Sequence, residues 1–333
     1  MIPRHGSPDV MDILQRSDPD PWPGEVRVRV KASGVNYLDV LARLGRYADA
    51  PKPPFVPGYE VSGFIDAIGS GPTRHEIGRH VIALVRFGGY ADTIVVPGDA
   101  AFNAPPNLSY NEAAAVPMSY LTASVAMYRM ANVKGGETVL VHNAGGGVGV
   151  AAVQLAHLRR ATVIGTASPG KHNALRSLGV DHVLDYRTGD VEKAVMNLTR
   201  GRGVDVVLDP IGGESLARSY RVLAPLGRLV AYGVKDTAGE SRHVLRALAA
   251  QWSTPRFDPI AMISENRGVF GLDLDHLWAE RRFLHASMEA LLTDFGAGRL
   301  KAVVAKAFPL GRAADAHRFL QDRPNVGKVV LTC

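Results

Sequence analysis

Cysteine is almost missing from this chain: its one thiol is Cys333, so no disulfide can form within it and no multi-cysteine metal site can be assembled. A reducing, cytoplasmic setting is the expectation. No run of five or more basic residues occurs, and the net charge of +6, from 38 basic and 32 acidic residues, is spread along the sequence. A nucleic-acid partner is therefore not expected. Repeats at a fixed period and low-complexity tracts are absent as well. Met1 to Asp12 carries charges and prolines where a secretory leader needs an apolar stretch. Thr138 to Leu158 has no Lys, Arg, Asp or Glu, yet Gly145, Gly146, Gly147 and Gly149 fall in its middle. A strand pattern precedes them and a helix pattern follows, which describes a turn and not a membrane span.

What is present is enough for two cores, since 333 residues exceed the roughly 250 to 300 at which one core stops growing. From Glu25 to Ala101 the pattern is short strands broken by Pro and Gly, at Glu25 to Lys31, Val61 to Ile68, His80 to Val85 and Thr93 to Val96. The alanine-rich run Asn111 to Met130 predicts a helical connector that ends or kinks at Pro117. Strands are then expected at Thr138 to His142, Thr162 to Thr166, His182 to Asp185, Val204 to Asp209, Arg228 to Tyr232 and Gly268 to Leu272. Helical patterns lie between them at Val148 to Arg159, Lys171 to Leu178, Val191 to Leu198, Glu214 to Leu223 and His243 to Ala250. Such alternation predicts a doubly wound parallel sheet, an α/β fold. A helix over Trp278 to Phe295, a strand over Ala302 to Phe308, a helix over Ala313 to Leu320 and a strand over Lys328 to Leu331 should return to the first domain.

The run from Val139 to Gly149 reads as a strand followed by [GA]-x-G-x-x-G, with Ala144, Gly146 and Gly149 at the special positions and Gly147 and Val148 opening the helix. A turn this tight lets backbone N–H groups approach a pyrophosphate at the positive end of that helix. Gly165 to Lys171 matches G-x-x-x-x-G-K, but His172 follows where a Mg²⁺-binding hydroxyl is needed, so an NTPase is set aside. In NAD-binding folds an acid about twenty residues beyond the glycines bonds the ribose. Here Ala167 to Lys171 contains no Asp or Glu. Ser168 can donate a hydrogen bond and Lys171 a charge to an extra phosphate, with Tyr186 and Arg187 placed to close over it, so NADPH is the expected cofactor.

The order of parts, Gly34-Val-Asn36-Tyr-Leu-Asp39, Pro57-Gly-Tyr-Glu60-Val-Ser-Gly63, Ala113 to Pro117, Tyr120 to Ala123, the glycine turn and Gly327 to Leu331, resembles the medium-chain dehydrogenase/reductase superfamily. Within it the chain is similar to the quinone oxidoreductase branch. The segments His142 to Gly149, Asp185 to Arg187, Asp209 to Gly213 and Asn325 to Lys328 resemble vesicle amine transport protein-like members most. The resemblance implies a GroES-like β-rich catalytic domain over 1–117 and 274–333 and a Rossmann domain over 118–273.

Zinc-dependent members carry a cysteine where this chain has Asn36 and a histidine where it has Tyr59, so the resemblance implies a zinc-independent enzyme with no metal site. It implies NADPH-dependent hydride transfer to a quinone or an α,β-unsaturated carbonyl compound. Asn36, Tyr59 and Tyr47 are the catalytic candidates, with Tyr120 as a further polar one; Asn36 can equally cap a turn. Cofactor residues carry over to Thr122, Gly233, Phe270, Gly271, Leu272, Asn325 and Lys328. Two departures stand out: the first strand is expected to be short, and Thr254 to Arg267 has no clear pattern. Rival readings are an enoyl-thioester or natural-product tailoring reductase, and an NADPH-binding adaptor with little turnover. A homodimer is expected, because Gly268 to Leu272 would otherwise leave an apolar sheet edge exposed.

Overall fold

A computed structural model describes residues 1–71, 73–233 and 255–333. The pattern read at His243 to Ala250 lies outside them. Two compact units are present, one formed by Met1–Leu121 with Trp278–Cys333, the other by Thr122–Leu277.

The first unit holds β1 (Glu25–Val35), β2 (Glu60–Ile68), β3 (His80–Leu84), β4 (Thr93–Pro97) and β5 (Ala101–Asn103). The second holds β6 (Thr138–Val141), β7 (Thr162–Ala167), β8 (His182–Asp185), β9 (Val204–Asp209), β10 (Leu223–Ala231) and β11 (Gly268–Gly271). The chain then returns to the first unit with β12 (Val304–Pro309) and β13 (Lys328–Thr332).

In the first unit the sheet order is β12-β13-β1-β2-β3-β5, with β4 also on β1. β1 organises it through period-two alternation: Val26, Val28 and Val30 point into a core shared with Val61, Ile65, Val81 and Val96. Arg27 and Arg29 point the other way and pair with Asp66 across on β2. The tail pairs as expected, β13 running antiparallel to the second half of β1 from Ala32 to Val35. Ahead of β1, Ile2 makes an isolated bridge to Phe55, and no longer strand forms there among the described residues.

The alanine-rich connector is divided as the proline requires. One helix covers Tyr110–Ala114, capped by Ser109 and Glu112, and a second starts on Pro117 and runs to Ser124, followed by a π-helical segment Val125–Met130. Three elements escaped the sequence pattern. The helix Tyr37–Arg43 lies in a stretch read as strands and turns, the strand β5 begins at the last residue of that stretch, and the helix Pro259–Glu265 lies in one read as patternless.

The second unit is a six-stranded sheet in the order β11-β10-β9-β6-β7-β8, parallel throughout. Its helices run over Gly147–Leu158, His172–Ser177, Val191–Leu198 and Glu214–Arg221. The core includes Leu140, Ile164, Val207 and Leu229. Chain order reverses beside β6, whose neighbours are β7 and β9. In open parallel sheets the crevice beyond the carboxyl ends at that switch point is where ligands bind.

Candidate functional site

The second unit places the glycine turn at that switch point. β6 ends at Val141, Asn143 takes a left-handed φ of 54°, and Gly146 becomes the N-cap of the helix Gly147–Leu158. Gly149 has to be glycine: a Cβ there would sit 2.4 Å from the Asn143 carbonyl oxygen and 2.7 Å from Ala144 Cα. The turn therefore closes only because backbone approaches backbone. Gly146, Gly147 and Val148 stay partly exposed, and the first-turn N–H groups of a helix have no partner within it. This is a cradle for a phosphate, at the positive end of the helix dipole.

Under the turn lies a polar network that the sequence pattern did not disclose. The Asp209 carboxylate, fully buried at the end of β9, accepts from the N–H groups of Ile211 and Gly212 and from the hydroxyls of Ser215 and Ser219. The Ser219 hydroxyl is 3.1 Å from His142 Nε2, and His142 Nδ1 is 3.2 Å from the Thr166 hydroxyl. Burial holds the His142 imidazole below its ordinary pKa. The ends of β6, β7 and β9 are thus tied together beneath the cradle. The available signal was faint: Ser215 and Ser219 stand four apart on one helix face, and His142 closes an otherwise apolar strand.

Of the residues expected to read the extra phosphate, Ser168 caps the short turn Pro169–Lys171 directly after β7, and Lys171 is buried in that turn. Tyr186 is exposed beyond β8, with the Arg187 guanidinium 5.9 Å from its ring centre. One acid enters this neighbourhood unannounced. Asp185 is the register partner of Ala167 on the adjacent strand. Its carboxylate accepts from the Arg187 N–H and the Thr188 hydroxyl, which hold its pKa below the usual range. Thr122 is nearly buried, and Gly233 follows β10 where a Cβ would lie 2.7 Å from the Pro210 carbonyl. Phe270 and Gly271 are exposed on the edge strand β11, and Leu272 is buried just after it.

The first unit assembles a second polar cluster. Asn36 is the N-cap of the helix Tyr37–Arg43, so it does serve as a capping residue; its side chain meanwhile donates to Glu60 Oε1 at 2.9 Å. Lys328 Nζ donates to Asn36 Oδ1 at 2.5 Å and forms an ion pair with Glu60. The other Glu60 oxygen accepts the Met118 N–H at 2.7 Å, at the start of the helix Pro117–Ser124. Glu60 is fully buried and Lys328 nearly so, which is tolerable only because each charge is paired and hydrogen-bonded. Glu60 belongs to a motif visible in the sequence, but nothing local marks its partner at the far end of the chain.

Behind Asn36 a second buried group completes the support. Asp39 accepts from the N–H groups of Asn36 and Gly58 and from the Tyr90 hydroxyl, which also lies 3.1 Å from His317 Nε2. Burial outweighs these bonds and the nearby Lys328 charge, and pushes the Asp39 carboxyl up to about 7. Among the other expected residues, Tyr59 is fully buried with its ring 5.0 Å from that of Phe87. Tyr47 packs against Ile2, Ala42 and Phe55, and Tyr120 gives its hydroxyl to the Lys301 carbonyl. Asn325 is buried and donates to the Gly327 carbonyl, next to Lys328. Asn36 and Lys328 are therefore brought together through Glu60, while Tyr59 and Tyr47 sit in packed surroundings and Tyr120 is tied to Lys301.

The donor set of this cluster does not suit zinc. It contains no thiolate or imidazole, and the ammonium of Lys328 already engages both Asn36 Oδ1 and Glu60.

A β-rich sheet followed by a parallel sheet with a glycine elbow at its switch point defines a two-unit dinucleotide-fold protein. Comparison with known proteins makes this specific. Residues 22–106 match the alcohol dehydrogenase GroES-like domain family, and residues 178–331 match the family described as zinc-binding dehydrogenase. The synaptic vesicle membrane protein VAT-1 homolog of Homo sapiens is 36% identical over 94% of this chain and 80% of its own length. That of Danio rerio is 37% identical over 93% of this chain, which spans 64% of that relative's length. Among solved structures, CurK enoyl reductase superposes with a TM-score of 0.84 at 31% identity, covering 99% of this chain and 97% of its own. Mycobacterial Rv1454c complexed with NADPH gives a TM-score of 0.87 at 28% identity, covering 100% and 98%. The chain belongs to the medium-chain dehydrogenase/reductase superfamily of oxidoreductases, with a GroES-like domain and a Rossmann domain, and VAT-1 homologs are among its relatives.

Two outcomes follow. Gly149→Ala should destabilise the protein by about 1–3 kcal/mol in urea unfolding, because the new methyl meets backbone that cannot yield; an unchanged midpoint would contradict that. An acid whose folded pKa exceeds its unfolded value of 3.8 stabilises most below about pH 4, and the contribution is lost as pH rises to about 7. The stability of the wild type relative to Asp39→Asn should therefore fall by up to roughly 4 kcal/mol between pH 4 and 7, measured by denaturant titration at each pH. A difference that is flat or rises with pH would refute the protonated form.

Proposed function

We propose that the protein is an NADPH-dependent, zinc-independent reductase that delivers hydride to a quinone or an α,β-unsaturated carbonyl compound. The observation that carries this reading is the Asn36–Glu60–Lys328 cluster: at a position where zinc-dependent relatives hold a metal, an ammonium ion is locked to a carboxylate and a carboxamide. Alcohol oxidation would lack a Lewis acid there, which leaves acceptors that are already activated. The likeness to CurK enoyl reductase and to NADPH-bound Rv1454c supports the same choice of acceptor and cofactor. An unsaturated thioester is the second acceptor class, on the strength of the CurK likeness.

When bound, NADPH would supply the hydride. The glycine elbow offers the N–H groups of Gly147, Val148 and Gly149 to its pyrophosphate, and Ser168 and Lys171 lie after β7 to meet the additional phosphate. Asn36 has a second amide hydrogen beyond the one given to Glu60, which allows it to donate to an acceptor oxygen as negative charge builds there. Glu60 and Asp39 fix the orientation of Asn36, one at its side chain and one at its backbone N–H. The proton that completes reduction comes from water in this account, since Tyr59 is buried and Tyr120 is bonded to Lys301.

Lys171→Ala should weaken NADPH binding at least tenfold by fluorescence titration and leave NADH binding within about twofold. Equal losses for both cofactors, or tighter NADH binding in the wild type, would contradict the cofactor assignment; Asp185 beside Ala167 makes the comparison demanding. We also propose a homodimer formed along β11, an edge strand bearing the exposed Phe270. Light scattering should give twice the chain mass, and Phe270→Lys should reduce it to one; a monomeric wild type would refute this. No helix among the described residues is long and apolar enough to cross a membrane.

A further inference from the structure

The first unit contains a cavity of about 730 Å³ that the account so far leaves without a role. One wall comes from the sheet, with Leu84, Phe102, Val85 and Val96, and the other is the helix Arg281–Gly296 together with Trp278, contributing Leu284. Its position ties it to the polar cluster. Leu84 is the register partner of Glu60 across β2 and β3, and cross-strand partners share a face of a sheet. Phe87 also lines the cavity and packs at a tilt against Tyr59, the residue before Glu60. Leu84 and Phe87 thus link the cavity to the strand end that carries Glu60.

The rim is not apolar. Arg281 and Arg282 both line the cavity and both are exposed. Arg281 reaches Asp99 at 3.0 Å, and that carboxylate can balance one of the two. Among the described residues, this helix forms salt bridges of Arg281 with Asp99 and of His285 with Glu289, and Arg282 takes part in neither. A cavity of this size accommodates a chain of about a dozen carbons, and the uncompensated guanidinium suits an oxyanion at the end of that chain.

We propose that this cavity seats the tail of the substrate, an aliphatic chain that ends in a single oxyanion, carboxylate or phosphate, held by Arg281 and Arg282. The assignment to the substrate rests on the reductase reading; the existence of the binding site does not. It names a class of acceptor, amphipathic and anionic at one end, and it places the tail beside Leu84 and Phe87, which adjoin Glu60 and Tyr59.

The full-length chain is titrated with dodecanoate, dodecyl phosphate and dodecanol while the emission of Trp278 is followed, Trp278→Phe serving to separate it from Trp22 and Trp252. Saturable binding of at least one oxyanion, at least tenfold tighter than dodecanol, is expected. Shortening the chain from dodecanoate to hexanoate should weaken binding about three- to fourfold per methylene removed. Arg281→Gln with Arg282→Gln, both surface changes, should bring the oxyanions down to the affinity of dodecanol. Which oxyanion binds tighter identifies the head group. In turnover, dodecanoate should raise the KM of a tail-bearing enone and leave 1,4-benzoquinone reduction unchanged. Absence of saturable binding, equal affinity for dodecanol, or indifference to chain length would overturn the site. Tight binding without competition would overturn its assignment to the substrate. Because binding is read without cofactor, a protein that takes up dodecanoate but never oxidises NADPH refutes the reductase reading and spares the cavity.

Discussion

A buried carboxylate that must not be left alone organises the first unit. Glu60 has no exposed surface, and an isolated charge there would cost several kcal/mol. Its neutralisation recruits Lys328 from the last strand, the side chain of Asn36 from the start of one helix and the Met118 N–H from the start of another. Gly34 accommodates it from the side, since a Cβ there would stand 2.3 Å from Glu60 Oε1. Four segments distant in sequence are therefore locked to one another by a single charge requirement. The cluster that results supports the first sheet where β1, β2 and β13 meet.

The second unit solves a different problem. Parallel strands end with their polar termini at one edge, and something must satisfy and space them there. Asp209 does this with four donors, and His142 extends the network to β7 through Thr166. The glycine elbow rests above these fixed strand ends. Its N–H groups can face a ligand because the backbone beneath them is held without them.

Much of the fold was legible because its signals are local. The strands His182–Asp185 and Val204–Asp209 and the helix Val191–Leu198 have the limits expected from hydrophobic periodicity, and Pro117 starts a helix where it had to end one. The helix Tyr37–Arg43 was not legible, because it is only two turns long and its first residues read as a turn after a strand. At the site, the elbow could be read from glycine spacing set between a strand pattern and a helix pattern. The pairing of Glu60 with Lys328 could not, since 268 positions separate them and only tertiary pairing of β13 with β1 brings the second near the first. The surroundings of the tyrosines were not legible for a related reason: burial of Tyr59 against Phe87, and the bond of Tyr120 to Lys301, are properties of tertiary packing.

The glycine elbow and the Asn36–Glu60–Lys328 cluster support one proposal, that reduction runs on NADPH with the Asn36 amide, and no zinc, at the acceptor oxygen. Rapid mixing of chelator-treated protein with NADPH and 1,4-benzoquinone tests it most directly. The account predicts oxidation of one NADPH per quinone reduced, at a rate that added zinc does not increase. Failure to oxidise NADPH, or turnover that begins only when zinc is restored, would contradict it.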